Sequence, residues 1–137
     1  MENSVNHGSA GKTILIVDDE AGILDVLEFI LIDAGFAVKS ALNGQEALAV
    51  LQETVPDLVI LDYMMPILDG NSVIKAMRAD EKYSKIPIIL TSALDEVTIR
   101  KRSDGYQAFL RKPYKTERLM EAIFRLLNLP NKPKSID

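Results

Sequence analysis

Carboxylate, hydroxyl and ammonium side chains follow four apolar segments of this sequence. Asp18 and Asp19 follow the run TILIV, and Asp62 follows LVIL. Thr91 follows IPIIL, and Lys112 comes shortly after AFL. Two carboxylates 4 Å apart repel by roughly 4 kcal/mol at an effective dielectric of 20, so either one carboxyl is protonated or a divalent cation is bound between them. Oxygen ligands with partial hydration favour Mg²⁺, with Mn²⁺ as a substitute.

Such a group of side chains can support phosphoryl transfer to a carboxylate. Asp62 is the candidate nucleophile, because an Asp side chain can form an acyl phosphate. Mg²⁺ would neutralise charge on the carboxylates and on the incoming phosphoryl group. Lys112 would pair with one phosphoryl oxygen, and Thr91 would donate a hydrogen bond to another. Each residue alone has an ordinary explanation, such as a helix cap or a solvated surface Lys. Their shared placement carries the prediction.

These side chains meet only if the apolar segments are parallel strands of one sheet. Hydrophobic periodicity predicts strands and helices in strict alternation. The predicted strands are Thr13–Val17, Phe36–Ala41, Leu58–Leu61, Ile86–Leu90 and Ala108–Leu110. The predicted helices cover Glu20–Ala34, a segment opened by Asn43 and Gly44, Ser72–Ala79, Asp95–Ser103, and a last helix capped by Thr116. The apolar stripe of the fourth helix is thin and consists of Val97 and Ile99.

Five βα units are too few for an eight-stranded barrel, so they predict an open α/β fold. The expected architecture is a flavodoxin-like (βα)5 doubly wound parallel sheet with strand order 2-1-3-4-5. In such sheets the ligand crevice lies beyond the carboxyl ends of the strands. This order places the strands that precede Asp18 and Asp62 next to each other, about 4.8 Å apart.

Composition limits the class of protein. The 137 residues fit one domain, which we expect at residues 12–129, with flexible tails at 1–11 and 130–137. The solitary His7 lies in the first tail and is expected to be a solvated surface residue. A net charge of −4 argues against nucleic-acid binding by this chain alone. The absence of Cys excludes disulfides, thiolate metal sites and a thiol nucleophile. No apolar run approaches the ~18 residues of a membrane span, so we expect a cytoplasmic protein that does not enter membranes.

The chain resembles the receiver domain of two-component response regulators, in particular the chemotaxis-type, single-domain kind. The matching segments, in order, are ILIVDDE, NGQEAL, PDLVILDYMMPILDG, IPIILTSA and FLRKPY. Each segment alone is a modest signal, whereas the full ordered set is highly specific. The resemblance covers residues 12–129 and supports the flavodoxin-like fold.

The resemblance implies a role for each residue of the acidic site. Asp62 matches the phosphoacceptor, and Asp18 and Asp19 match the acidic pair. In the family, the second acid of the pair and the phosphoacceptor bind Mg²⁺ directly, while the first acid acts largely through water. The backbone carbonyl of Met64 matches the remaining protein ligand. Lys112 matches the phosphate-binding lysine.

The resemblance also implies a switch. Thr91 matches the switch hydroxyl and Phe109 the switch aromatic, and a cis bond is implied between Lys112 and Pro113. A phosphohistidine on a sensor histidine kinase or a histidine phosphotransfer protein would supply the phosphoryl group. Thr91 would then move toward it, and Phe109 would fill the vacated space. A downstream protein target would bind the face made by the fourth helix, last strand and last helix. The protein would take part only in its own phosphorylation and dephosphorylation.

Several features depart from the common pattern or leave alternatives open. Phe109 lacks the hydroxyl of a Tyr, and Tyr106 follows Gly105 where the family often has Ala. Phe29 and Ile32 lie off the core stripe of the first helix, as either scattered surface apolarity or a partner patch. The chain is either a stand-alone receiver, slightly favoured by its ends, or a receiver domain cut from a larger regulator.

Three other functions fit the sequence less well than a receiver does. A haloacid-dehalogenase-like phosphatase needs a second Asp two positions after the nucleophile, where this chain has Met64. A flavin carrier needs a loop rich in Ser, Thr and Gly after the first strand, and the run DDE there would repel flavin phosphate. A phosphorylation-independent interaction module does not require the complete acidic, hydroxyl and ammonium set.

Overall fold

The computed structural model describes residues 11–130, in which five strands alternate with five helices. The strands are β1 (Thr13–Val17), β2 (Ala37–Ala41), β3 (Leu58–Asp62), β4 (Ile88–Ser92) and β5 (Ala108–Arg111). The helices are α1 (Ala21–Asp33), α2 (Gly44–Glu53), α3 (Gly70–Arg78), α4 (Glu96–Arg100) and α5 (Thr116–Leu126). The predicted alternation is confirmed. His7 and nearly all of the two predicted tails lie outside the described residues.

The strands form one parallel sheet in the order β2-β1-β3-β4-β5. This confirms the flavodoxin-like order 2-1-3-4-5. Every residue of β3 and β4 is buried, as expected for central strands covered by helices on both faces. The register places Asp62 of β3 directly opposite Thr91 of β4. Two residues expected to act together are therefore neighbours across the ladder.

Alternate residues of the strands belong to two hydrophobic cores, one on each face of the sheet. The first core contains Leu15, Val17, Val59, Leu61, Leu90, and residues of α2 and α3 such as Leu51, Val73 and Met77. The second core contains Ile14, Ile16, Ile60, Ile89, and residues of α1 and α5 such as Leu27, Leu31, Leu119 and Ile123. These two layers fix the carboxyl edge of the sheet rigidly. Within residues 11–130, no helix has the length and apolarity to cross a membrane.

Local sequence signals explain where α1 ends and where α2 begins. Gly35 follows the last turn of α1 with a φ of 101°, a left-handed conformation that glycine adopts at low cost. The Asn43 side chain accepts a hydrogen bond from the Glu46 backbone N–H at 2.8 Å. The Glu46 carboxylate in turn accepts from the Leu42 N–H at 2.8 Å, which completes a reciprocal cap.

The fourth helix differs from its prediction. It ends at Arg100 rather than Ser103, and only Ile99 on it is buried. Val97, which was predicted to face inward, is 69% exposed. A stripe of two apolar residues does not determine which face of a short helix is buried, so the prediction for Val97 was wrong.

The start of α5 and both ends of β4 also differ from the sequence prediction. Thr116 is the first helical residue of α5, and Lys115 occupies the cap position without a side-chain cap hydrogen bond. The predicted Thr116 cap is therefore wrong. Strand β4 begins at Ile88 instead of Ile86, because Pro87 has no N–H to enter the ladder. It extends to Ser92, so that Thr91 lies within the strand instead of after it.

Candidate functional site

The carboxyl edge of the sheet brings together the predicted acidic, hydroxyl and ammonium residues. Asp18 follows β1, Asp62 ends β3, and Thr91 lies near the end of β4. Lys112 follows β5, and its backbone N–H donates to the Ser92 carbonyl at 2.7 Å. Parallel strands all end at one edge, so residues far apart in sequence meet there.

Three carboxylates form a compact acidic cluster at this edge. One oxygen each from Asp18, Asp19 and Asp62 lies within 4.8 Å of the other two. Asp18 is 3% exposed and Asp62 is 5% exposed, whereas Asp19 faces solvent. The Asp18 carboxylate also accepts a hydrogen bond from the Glu20 N–H at 3.0 Å, which fixes its orientation at the start of α1.

Lys112 is the cation that the structure places against the two buried carboxylates. Its Nζ donates to Asp18 Oδ2 at 2.8 Å and lies 3.5 Å from Asp62 Oδ1. The peptide bond between Lys112 and Pro113 is cis, as the resemblance implied. The ammonium, which follows β5, therefore contacts carboxylates at the ends of both β1 and β3.

Burial and neighbouring like charges shift the pKa of Asp62. Burial and the neighbouring Asp18 raise the pKa of Asp62 from 3.8 to about 6, although Lys112 opposes the shift. Burial lowers the pKa of Lys112, but its hydrogen bond to Asp18 and the charge of Asp62 outweigh burial and raise it. The pocket therefore keeps more negative charge than one ammonium neutralises.

The donor set fits a hard divalent cation. All three clustered side chains offer carboxylate oxygens, which Mg²⁺ prefers over nitrogen or sulfur ligands. Burial and the neighbouring carboxylates both disfavour the ionised form of Asp62 and raise its pKa, and a cation in this position would stabilise that form. Met64, whose backbone carbonyl is the fourth expected ligand, lies two residues after Asp62 in the loop that follows β3.

The loop after β3 is held in place by backbone contacts that the sequence motif did not reveal. Tyr63 donates its N–H to the Thr91 carbonyl at 2.8 Å, and Gly70 donates to the Tyr63 carbonyl at 2.9 Å. A Cβ atom on Gly70 would lie 2.8 Å from the Cα of Tyr63, so only glycine fits there. The sequence marked Asp69-Gly70 as a turn, but this close approach depends on the tertiary fold.

Phe109 lies apart from the carboxylate cluster. It sits on β5 opposite Leu90 and packs against the first core. Its ring centroid is 6.3 Å from that of Tyr106, with an angle of 53° between the planes. The Tyr106 hydroxyl donates to Glu96 Oε2 at 3.1 Å. The sequence had left Tyr106 without an explanation.

Fold and site together define a flavodoxin-like domain with an acidic pocket at the carboxyl edge of its sheet. Residues 14–124 match the family model described as the response regulator receiver domain. The chain therefore belongs to the response regulator receiver family, a family of signalling domains, as the ordered motifs predicted.

The curated relatives are regulators of transcription. The chain is 41% identical over 123 residues to the probable transcriptional regulator ycf27 of Pyropia yezoensis, covering 88% of this chain and 49% of that protein. It is 34% identical over 116 residues to the DNA-binding dual master transcriptional regulator RpaA of a Synechocystis strain, covering 83% of this chain and 48% of that protein. The chain thus spans about half the length of these relatives. The sequence-based exclusion of nucleic acid is not supported, because the charge of this chain describes only one part of such proteins.

Solved receiver structures are similar in fold. The chemotaxis protein CheY4 of Vibrio cholerae matches with a TM-score of 0.80 and 31% identity, covering 85% of this chain and 99% of that one. The receiver domain of the sensor histidine kinase PA1611 of Pseudomonas aeruginosa matches with a TM-score of 0.78 and 28% identity, covering 87% and 99%. That second structure has a magnesium ion coordinated in its active-site cleft.

Proposed function

We propose that this receiver domain accepts a phosphoryl group on Asp62 in a Mg²⁺-dependent reaction and then changes its surface for partner binding. The observation that carries this proposal is the convergence of Asp18, Asp19, Asp62 and Lys112 at one edge of the sheet. Structural packing does not require three crowded carboxylates, since they repel one another. A pocket built to hold a cation and a phosphoryl group does require them.

In the proposed reaction, a carboxylate oxygen of Asp62 attacks the phosphorus of a phosphohistidine. The new O–P bond forms as the P–N bond breaks, and the imidazole leaves with the electron pair. The ammonium of Lys112, 3.5 Å from Asp62, would exchange part of its pairing with the carboxylates for a phosphoryl oxygen. Thr91, opposite Asp62 in the ladder, would donate its hydroxyl to another oxygen.

Asp19, Asp62 and the Met64 carbonyl would hold Mg²⁺, with Asp18 acting largely through water. When bound, the ion supplies neutralising charge for the carboxylates and for the incoming phosphoryl group. The magnesium in the similar PA1611 receiver supports this assignment. Mn²⁺ would substitute, because it accepts the same oxygen ligands.

The proposed donor is a sensor histidine kinase or a histidine phosphotransfer protein. Helix α1 begins next to Asp18, and Phe29 and Ile32 are large exposed apolar residues on this helix. We propose that they form part of the surface that docks the donor. The downstream target would bind the face formed by α4, β5 and α5, after Thr91 and Phe109 have moved.

The domain unit proposed is residues 12–129. Because its relatives are about twice as long, a second arrangement is that this receiver controls an output domain of a longer transcriptional regulator. Phosphorylation of Asp62 would be the same in both arrangements. Only the partner of the α4–β5–α5 face would differ.

Intact-mass spectrometry after incubation with Mg²⁺ and acetyl phosphate tests the proposal. We expect the chain to gain one phosphoryl group, and expect no gain in EDTA or in Asp62→Asn. The matched control is Asp57→Asn, just before the first residue of β3, where the carboxylate accepts the Thr13 N–H at 2.7 Å. No gain in the wild type, or a gain that survives Asp62→Asn, would overturn the proposal. Multiple turnover on ordinary phosphomonoesters would favour a phosphatase instead.

A further inference from the structure

Helix α4 is tied to the rest of the domain by few contacts. It has five residues, and only Ile99 among them is buried. Its first turn is capped by Asp95, whose side chain accepts the Thr98 N–H at 2.8 Å. Its first residue, Glu96, also accepts a hydrogen bond from the hydroxyl of Tyr106, two residues before β5, to Oε2 at 3.1 Å. So short a helix has little stability of its own, so the loss of one such contact should measurably destabilise it.

Tyr106 lies between Phe109 and helix α4, which the proposed switch must connect. Its ring packs against Phe109, and its hydroxyl reaches the first residue of α4. Phe109 has no hydroxyl and so cannot make a polar contact of its own to α4. Burial raises the pKa of the Tyr106 phenol above its ordinary 10.0, so the group stays protonated and continues to donate.

Arg78 of α3 holds the residues on both sides of Tyr106, through the backbone of Gly105 and the side chain of Gln107. The guanidinium donates to the Gly105 carbonyl at 3.0 and 2.7 Å and to Gln107 Oε1 at 3.0 Å. It also donates to the carbonyls of Tyr83 and Ser84. These contacts fix Gly105 next to Tyr106, so we expect a response at Tyr106 to involve mainly its side chain, whose ring contacts Phe109.

We propose that Tyr106 positions α4 and couples it to Phe109. A movement of the Phe109 ring would then weaken the hydrogen bond from the Tyr106 hydroxyl to Glu96. If Phe109 moves inward, the apolar surface that supports the Tyr106 ring is withdrawn. The phenol then shifts, and Glu96 is left to its other partner, Arg100, whose Nη2 donates to the same oxygen at 2.6 Å. The switching part of this inference rests on the proposed function.

Hydrogen exchange of the α4 amides tests the positioning role in the unmodified protein. Tyr106→Phe keeps the ring and removes only the hydroxyl. We expect exchange at Glu96–Arg100 to become about fivefold faster, because a hydrogen bond to a charged acceptor is lost. The matched control is Tyr83→Phe, which removes the phenol hydrogen bond to the Leu51 carbonyl on the α2–α3 side. Acceleration at α4 no greater than in Tyr83→Phe would overturn the positioning role.

Addition of Mg²⁺ and beryllium fluoride, as the phosphoryl mimic, tests the coupling. We expect the wild type to change its α4 exchange by at least about threefold and Tyr106→Phe to show little further change. An equal response in both proteins would overturn the coupling, and so would no response in the wild type. Acetyl phosphate labelling of the same samples separates the two proposals. Normal labelling of Asp62 with an unchanged α4 refutes only the role of Tyr106, whereas failed labelling refutes the proposed function.

Discussion

Replacing Asp62 by Asn should make the metal-free protein more stable, although Asp62 is the proposed functional centre. Asp62 is almost fully buried beside Asp18 and Asp19, and one ammonium serves the cluster. Burial and the Asp18 charge raise the pKa of Asp62 from 3.8 to about 6. An ionised Asp62 is therefore a cost to the folded state in the absence of Mg²⁺. The Asn side chain has similar volume and removes that charge.

The size and pH dependence of this effect follow from linkage. Below the unfolded pKa of 3.8 the carboxyl is protonated in both states, so it contributes no penalty. The penalty grows as pH rises through 3.8 and is complete above the folded value of about 6. This difference between the folded and unfolded pKa of Asp62 lowers the free energy of unfolding by about 3 kcal/mol at pH 7.5 and by about 1 kcal/mol at pH 4.5.

Urea unfolding in EDTA at these two pH values measures the effect. We expect Asp62→Asn to raise the free energy of unfolding by about 3 kcal/mol at pH 7.5 and by much less at pH 4.5. The control is Asp25→Asn, which removes an exposed carboxylate of α1 and should change stability by less than about 0.5 kcal/mol. A neutral or destabilising Asp62→Asn at pH 7.5 would refute the idea that burial and neighbouring charge make an ionised Asp62 destabilising in this pocket.

Three more perturbations probe the same site through urea unfolding. Lys112→Ala, which removes the ammonium 2.8 Å from Asp18, should cost about 3 kcal/mol at pH 7.5 because buried carboxylates lose their partner. Mg²⁺ at ten times its dissociation constant should add about 1.4 kcal/mol to wild-type stability and less to Asp19→Asn. Gly70→Ala should cost about 2 kcal/mol, since its Cβ would lie 2.8 Å from the Tyr63 Cα. A tolerated alanine at either position, or equal Mg²⁺ stabilisation of both proteins, would contradict these expectations.

The sheet and its acidic edge could be predicted because their signals are local and repeated. Continuous apolar runs predict buried parallel strands, and the polar residue after each run must lie at the same edge. Asp18, Asp62 and Lys112 are therefore brought together by topology alone.

Contacts that depend on tertiary structure were not predictable from single segments. The burial of Ile99 but not Val97 depends on how a five-residue helix lies against the first core. The bond between Tyr106 and Glu96 joins residues of different elements, and neither has a sequence signature for it. The need for glycine at position 70 likewise comes from the neighbouring backbone of Tyr63.

Anomalous scattering from a crystal grown with Mn²⁺ tests whether the carboxyl edge of the sheet holds a divalent cation, because Mn²⁺ occupies magnesium sites and can be located by its own signal. We predict one ion bound by oxygens of Asp19, Asp62 and the Met64 carbonyl, about 2.0–2.3 Å from each. The absence of an ion from this edge at saturating Mn²⁺, or its binding at an unrelated surface, would refute the proposed metal site.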